Sequence, residues 1–362
     1  MLLDAMDDYD PARQDVLCNA LEWHLSLVPR KVLAQQLEQV ADPVSWLFDK
    51  TPMPAQKQPP YTRRIPWVQA PVSRLNIFDP RFPDPLRHIP DPPLLLYCVG
   101  DCSILRQGLL VAVVGARRCS EYGRQVAQSV ARGLAQFNIP LVSGLAYGID
   151  GRAHEATAAA GGLGVGVLGG GVDVIYPRRH AGLAGQLVTG GGLVLSEYAP
   201  AVAPRPYHFL ERNRLISGLS KLVVVVEAGK RSGSLNTART ALEQGRDVWA
   251  VPGQLTSSLS EGCHVLVQQG AGLYTDMEDL LFALGVASRD PVSEASEGPG
   301  KFAEASELHR AIRQLVREHP KTLEELDVLL GAYPMDEIMQ VVAELELSGV
   351  VEASTVGYIA AL

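Results

Sequence analysis

VVVVEAGKRSGSLNTA, residues 223–238, is the stretch that decides the fold. Four consecutive valines suit a strand covered on both faces, as in a parallel sheet. The run stops at a Gly- and Ser-bearing loop, after which a helical pattern begins; strand, polar loop and helix form the unit of a βα sheet. Working outward, the same grammar recurs at VAVVGARR (111–118), LVSGLAYGID (141–150) and GVLGGGVDVIYPRR (166–179), while ERNRLISGLS (211–220) leads into the valine run. Strands are predicted at 111–115, 140–143, 164–168, 193–196, 222–226 and 247–251, with helices between them, for example 122–137 and 234–244. The fold class is therefore α/β, a doubly wound, mostly parallel sheet. In such a sheet the loops after the strands converge on one edge, where ligands bind.

The flanks read differently. Residues 11–49 pattern as short helices, and TPMPAQKQPP (51–60) reads as a linker. Residues 61–110 are Pro-rich extended segments ending in LLLYCVG, a predicted strand. VASRDPVSEASEGPG (286–300) opens a second linker, placed at 286–303, and 304–362 shows three helical patterns and two short strands, the outline of a winged helix. The expected domains are thus 1–50, 61–285 and 304–362. The chain carries 32 Lys+Arg against 40 Asp+Glu. Residues 111–283 hold 15 against 13, so the acidic balance comes from the flanks and the central part can still present a positive face. Five cysteines form no even framework and suit a reducing cytoplasm. Cys98 and Cys102 have no second pair at zinc spacing, so no metal is expected. MLLDAMDDYD is not a signal peptide, and no stretch suits a membrane span.

The loops carry cations, amides and hydroxyls, with few groups suited to bond-making. In VGARRCSEYGR, Gly115 ends a strand and Arg117 would point into the edge crevice; the bland alternative is a surface arginine paired with a carboxylate. Ser143 and Gly144 end the next strand, and Asp150 is placed to cap the following helix. Asp150 and His154 share a helical face, with no nucleophile or metal partner evident. Arg178 and Arg179 follow three glycines and can reach phosphates or simply sit in a solvated turn. PRPYHFLERNRLISGLS interleaves Arg205, Arg212 and Arg214 with Tyr207, His208 and Phe209. Stacking groups beside cations suit unpaired nucleotides; otherwise Phe209 is core and Arg212 pairs with Glu211 or Glu227. Lys230 and Arg231 precede Ser232, Gly233 and Ser234, where a helix N-terminus would offer amides to a phosphate or be plainly capped.

Taken in order, these motifs resemble the DNA-processing protein A (DprA/Smf) family over roughly 61–283. The residues that carry the resemblance are VAVVGAR, SGLA-GID, VLGGGVDVIYP, F-ERNRLISGLS, VVVVEA–RSGSL-TA, GRDVWAVPG and EG-H-L—GA. The resemblance implies an extended Rossmann-like domain that binds single-stranded DNA without sequence preference. It implies a homodimer that loads the RecA recombinase during natural transformation and displaces single-strand-binding protein. It places the family's glycine–x–arginine motif on Gly115-Ala116-Arg117, its RNR segment on Arg212, Asn213 and Arg214, its SGSL segment on Ser232 onward, and its usual lysine on Arg205. It also implies a SAM-like N-terminal module and a C-terminal winged helix. SLVPRKVL lacks the glycines of a helix–hairpin–helix turn, so backbone-amide DNA binding by 11–49 is not expected. Residues 284–362 hold 6 Lys+Arg against 14 Asp+Glu, which favours protein docking over duplex binding there. No cofactor and no turnover are expected. The rival reading is a nucleoside-monophosphate phosphoribohydrolase-like enzyme, with Glu227 as its carboxylate.

Overall fold

The computed structural model describes residues 13–52, 65–286, 307–331, 333–347, 350–354 and 357–360. Two compact units divide the chain, residues 1–288 and 289–362.

The first unit opens with helices α1 (Gln14–Leu27), α2 (Arg30–Glu38) and α3 (Pro43–Lys50). Strand β1 (Ser73–Asn76), a single helical turn α4 (Asp84–Arg87) and β2 (Leu95–Gly100) follow. Then come β3 (Val111–Val114), α5 (Glu121–Gln136), β4 (Leu141–Ser143), α6 (Ile149–Ala159), β5 (Gly164–Leu168), α7 (Ala181–Thr189) and β6 (Leu193–Ser196). The unit closes with α8 (Pro206–Leu219), β7 (Leu222–Val225), α9 (Gly233–Glu243), β8 (Asp247–Ala250), α10 (Glu261–Gln268), β9 (Gly272–Leu273) and α11 (Met277–Ala283).

The nine strands form one sheet in the order β1-β2-β6-β5-β4-β3-β7-β8-β9. β3 to β9 are mutually parallel, and β2 and β1 extend the β6 edge antiparallel. The expected α/β, doubly wound, mostly parallel sheet is what the chain forms. The six predicted strands fall on β3 to β8. Their apolar residues are buried on both faces: Ala112, Val114, Val223 and Val225 join one core cluster, and Val111, Val113, Leu222 and Val224 the other. This two-sided burial is why the valine run shows no alternation.

The chain runs outward from β3 through β4, β5 and β6, then returns to pair β7 with the other side of β3. The switch point therefore lies between β3 and β7, where Val114 sits beside Val225. The loops that follow these strands separate toward opposite faces and leave a crevice.

Helices α1 to α3 do not bury a core by themselves. Leu17, Leu21, Leu33, Leu37 and Leu47 join the same apolar cluster as Leu75, Phe78 and Leu96. Three helices of 14, 9 and 8 residues are too small to bury their apolar faces alone. The expected division between 1–50 and 61–285 is thus not one between compact units. The expected linkers 51–60 and 286–303 lie almost wholly outside the described residues.

The second unit contains α12 (Glu307–Glu318), α13 (Leu323–Leu329), α14 (Met335–Leu347) and an antiparallel hairpin of β10 (Val351–Ser354) and β11 (Gly357–Ala360). Leu308, Ile312, Leu326, Ile338, Val342 and Val351 build its separate core. Thr322 and Glu325 close a capping box on α13.

Candidate functional site

A cleft of about 590 Å³ opens at the switch point. The loop after β3 supplies Gly115, Arg117 and Arg118, the loop after β7 supplies Lys230 to Ser234, and α8 supplies Phe209, Arg212 and Asn213.

Each wall is fixed by local chemistry. Gly148 has φ +75°, and a Cβ there would collide with Ala116 O and the Arg117 backbone. Only glycine lets the start of α6 approach the Arg117 loop this closely, and the Ile149 N–H then donates to Ala116 O at 3.2 Å. Arg117 is exposed, and its guanidinium lies 5.2 Å above the Phe209 ring. Tyr176, from the loop after β5, reaches the same ring at 5.6 Å. Phe209 therefore joins two strand-end loops and leaves the Arg117 head directed to solvent.

Arg212 is 4% exposed. Its Nη1 donates to Gly144 O at 2.8 Å and to Val167 O, while its Nε has no hydrogen-bond partner among the described residues. Burial pulls its pKa down to about 10, and the nearby Asp150 carboxylate opposes the shift, so the group stays cationic at neutral pH. Asp150 is pushed the other way: burial raises its pKa, and Arg212 partly restores the anion. Asp150 Oδ2 accepts from the Gly144 N–H at 3.1 Å. The expectation of Asp150 as the helix cap is corrected, because Gly148 holds that position and Asp150 lies within the first turn. His154 is fully buried, and burial lowers its pKa to about 4, so it is neutral.

On the far wall Ser232 caps α9, its Oγ accepting from the Ser234 N–H at 3.4 Å and meeting Ser234 Oγ at 2.7 Å. Asn213 Nδ2 donates to Gly233 O at 3.3 Å and ties this N-terminus to α8. The positive end of α9 faces the cleft beside Arg231 and Lys230, the latter 3.4 Å from Glu261. Arg117, Arg212 and the α9 N-terminus thus converge from three segments. That arrangement suits an anion; among the described residues no hydrogen bond joins a hydroxyl of the cleft to a His or a carboxylate.

Ten of the sequence-predicted residues line this cleft: Gly115, Arg117, Phe209, Arg212, Asn213, Lys230, Arg231, Ser232, Gly233 and Ser234. The other six do not. Ser143 is buried and donates to Val113 O at 2.6 Å, and Gly144 lies behind Arg212. Arg178 and Arg179 are exposed on the loop after β5, with Arg179 4.1 Å over the Tyr147 ring. Arg205 precedes α8, and its Nη1 donates to Tyr207 Oη at 3.4 Å. Arg214 points to the opposite side of α8, where its Nη2 donates to Glu197 Oε1 at 2.7 Å and its Nε to Asp91 at 3.3 Å. Arg30 joins the same two carboxylates from α2, making a half-buried quartet. The expectation that Arg212 pairs with Glu211 or Glu227 is also corrected, since its partners are carbonyls. Glu227, 3% exposed, accepts from the Ser120 N–H at 2.9 Å and from Ser120 Oγ, and so clasps the start of α5. It is not part of the cleft lining.

Sequence reasoning missed Ser258, Leu259 and Glu261, which follow β8 and also line the cleft. The strand-end rule that singled out the other loops applies equally to VPGQLTSSLS. Among the described residues no cluster of His, Cys, Asp and Glu could hold a metal, and no helix is long and apolar enough to cross a membrane.

Residues 73–285, which carry the whole cleft lining, match the model of the family described as DNA recombination-mediator protein A. The chain is 39% identical over 296 residues to Protein Smf of Escherichia coli, an alignment covering 81% of this chain and 79% of that one. It is 45% identical over 206 residues to the DNA processing protein DprA of Streptococcus pneumoniae, covering 57% and 72%. The X-ray structure of the Streptococcus pneumoniae protein superposes with a TM-score of 0.58 at 35% identity, covering 78% of this chain and 95% of that one. A Helicobacter pylori DNA processing protein A, solved for its single-stranded DNA binding mode, superposes with a TM-score of 0.54 at 32% identity, covering 59% and 95%. With the sheet order, the motifs and these likenesses in agreement, the chain belongs to the DNA recombination-mediator protein A family.

Proposed function

We propose that this chain binds single-stranded DNA in the switch-point cleft, without sequence preference and without chemical turnover. The observation that carries the reading is the convergence of Arg117, the buried but incompletely bonded Arg212 and the N-terminus of α9 on one cleft. These groups suit phosphates, while Phe209 and Tyr176 offer ring surface to bases. The single-stranded DNA binding mode for which the Helicobacter pylori relative was solved supports the same assignment. Bound DNA would be protected and handed to the RecA recombinase, displacing single-strand-binding protein, during natural transformation. On this reading the chain acts in the cytoplasm as a homodimer, and Arg178, Arg179 and Arg205 extend the phosphate track beyond the cleft.

The hydrolase alternative draws no support from the site, because Glu227 is spent on Ser120. The test is fluorescence anisotropy with labelled dT, dA and dC oligonucleotides, beside incubation with nucleoside monophosphates. Similar affinity for all three strands and no released base are expected. Strong preference for one base, or base release, would overturn the reading.

A further inference from the structure

From Thr322 to the C-terminus the chain has eight Asp and Glu and no Lys, Arg or His. Within the second unit these residues include α13 and α14. α14 carries Asp336, Glu337, Glu344 and Glu346. Carboxylates in this number repel a phosphate backbone and disfavour its approach to these helices.

The outer surface of the same two helices is apolar where it should be polar. Val328 is 82% exposed and Leu329 53%, at the end of α13. Met339 is 51% exposed, one turn from Met335, which is also exposed, on α14. Residues four apart share a helical face. None of the four is needed by the unit's core, which Leu326, Leu330, Ile338 and Val342 fill. Methionine adapts its shape to varied partners, and carboxylates on the same two helices as exposed apolar side chains favour a cationic ligand.

We propose that the α13–α14 surface is a docking site for a basic amphipathic helix of a partner protein. Apolar side chains of the partner seat on Val328, Leu329, Met335 and Met339, and its Lys and Arg face Asp336, Glu337 and the acidic residues of α13. The charge of the surface selects this occupant over duplex DNA and over a second copy of the same acidic surface, which would repel it.

The test uses the full chain and an 18-residue peptide of Lys and Leu with leucines at i, i+3, i+4 and i+7. A peptide of the same composition, scrambled to have no apolar face, is the reference. At physiological salt the amphipathic peptide should bind about tenfold tighter, a difference of about 1.4 kcal/mol. Val328→Ser with Met339→Ser should erase that preference and leave the scrambled peptide unaffected. Asp336→Asn with Glu337→Gln should weaken both peptides and flatten their salt dependence. All four positions are exposed, so the unit's melting transition should not move. Equal binding of the two peptides, or a preference that survives the serine pair, would overturn the proposal. So would duplex binding or self-association that the serine pair abolishes, since each would name another occupant.

Discussion

Arg117→Ala removes a cleft cation that lies over the Phe209 ring, is exposed and, like Arg118 and Arg231, has no carboxylate within salt-bridge distance among the described residues. Nothing in the core depends on the guanidinium, so the variant should fold and melt as the parent does. A charge-assisted hydrogen bond to one phosphate contributes about 1.5–3 kcal/mol. The lower figure applies to a solvated group, which gives roughly tenfold weaker binding of a 20-nucleotide oligo-dT. The salt dependence sharpens the test. One lost phosphate contact lowers the slope of log affinity against log salt by about 0.7 on a single strand. Over a fourfold rise in salt, the gap between parent and variant should therefore shrink by about 2.6-fold. Fluorescence anisotropy across a salt series reads both quantities, and Arg132→Ala on α5, exposed and outside the cleft lining, should change neither. An unchanged slope for Arg117→Ala, or a loss confined to one homopolymer, would refute phosphate contact by this residue.

Gly144→Ala should weaken single-stranded DNA binding although it removes no charge. Its Cβ would overlap the Arg212 guanidinium, so unfolding in urea should show a loss of about 1–3 kcal/mol together with weaker binding. Arg214→Ala should act oppositely. It takes one of two guanidiniums from Glu197 and Asp91, with Arg30 still on both, and should cost about 1–3 kcal/mol of stability, while the salt slope of DNA binding stays at the parent value. A changed slope would mean that Arg214 touches DNA after all. His154 should make the first unit acid-sensitive. Its pKa is depressed in the fold, to about 4 from 6.5, so the unfolded chain takes up the proton first. Its contribution is intact above pH 6.5 and is lost as pH falls toward 4, by about 3 kcal/mol in all. His154→Leu should remove that part of the decline in melting temperature.

Much of the fold is legible because parallel strands buried on both faces leave continuous apolar runs, as at 111–114 and 222–225. β2 is legible in the same way as LLLYCVG, whereas β1 is harder to read. Ser73–Asn76 is short and set among prolines, and only its pairing with Leu95–Cys98 makes it a strand. β9 has two residues and no periodicity at all. Within the site, sequence reading singled out Arg117, Arg212 and the Ser232 turn because each follows a strand or sits in an Arg–aromatic run. It could not separate Arg212 from Arg214. They lie two positions apart on α8 and therefore project to different sides of the helix, one into the cleft and one onto carboxylates 17 and 123 residues away. Nor could it show that Glu227 is a clasp, since Ser120 lies 107 residues upstream.

The most direct test is a crystal structure of the full chain with a short oligo-dT. The account predicts consecutive phosphates within hydrogen-bond reach of Arg117, the Gly233 amide and the Ser232 and Ser234 hydroxyls, beside the buried charge of Arg212, with bases against Phe209. A strand bound on another face of the sheet, with that cleft left to solvent, would contradict it.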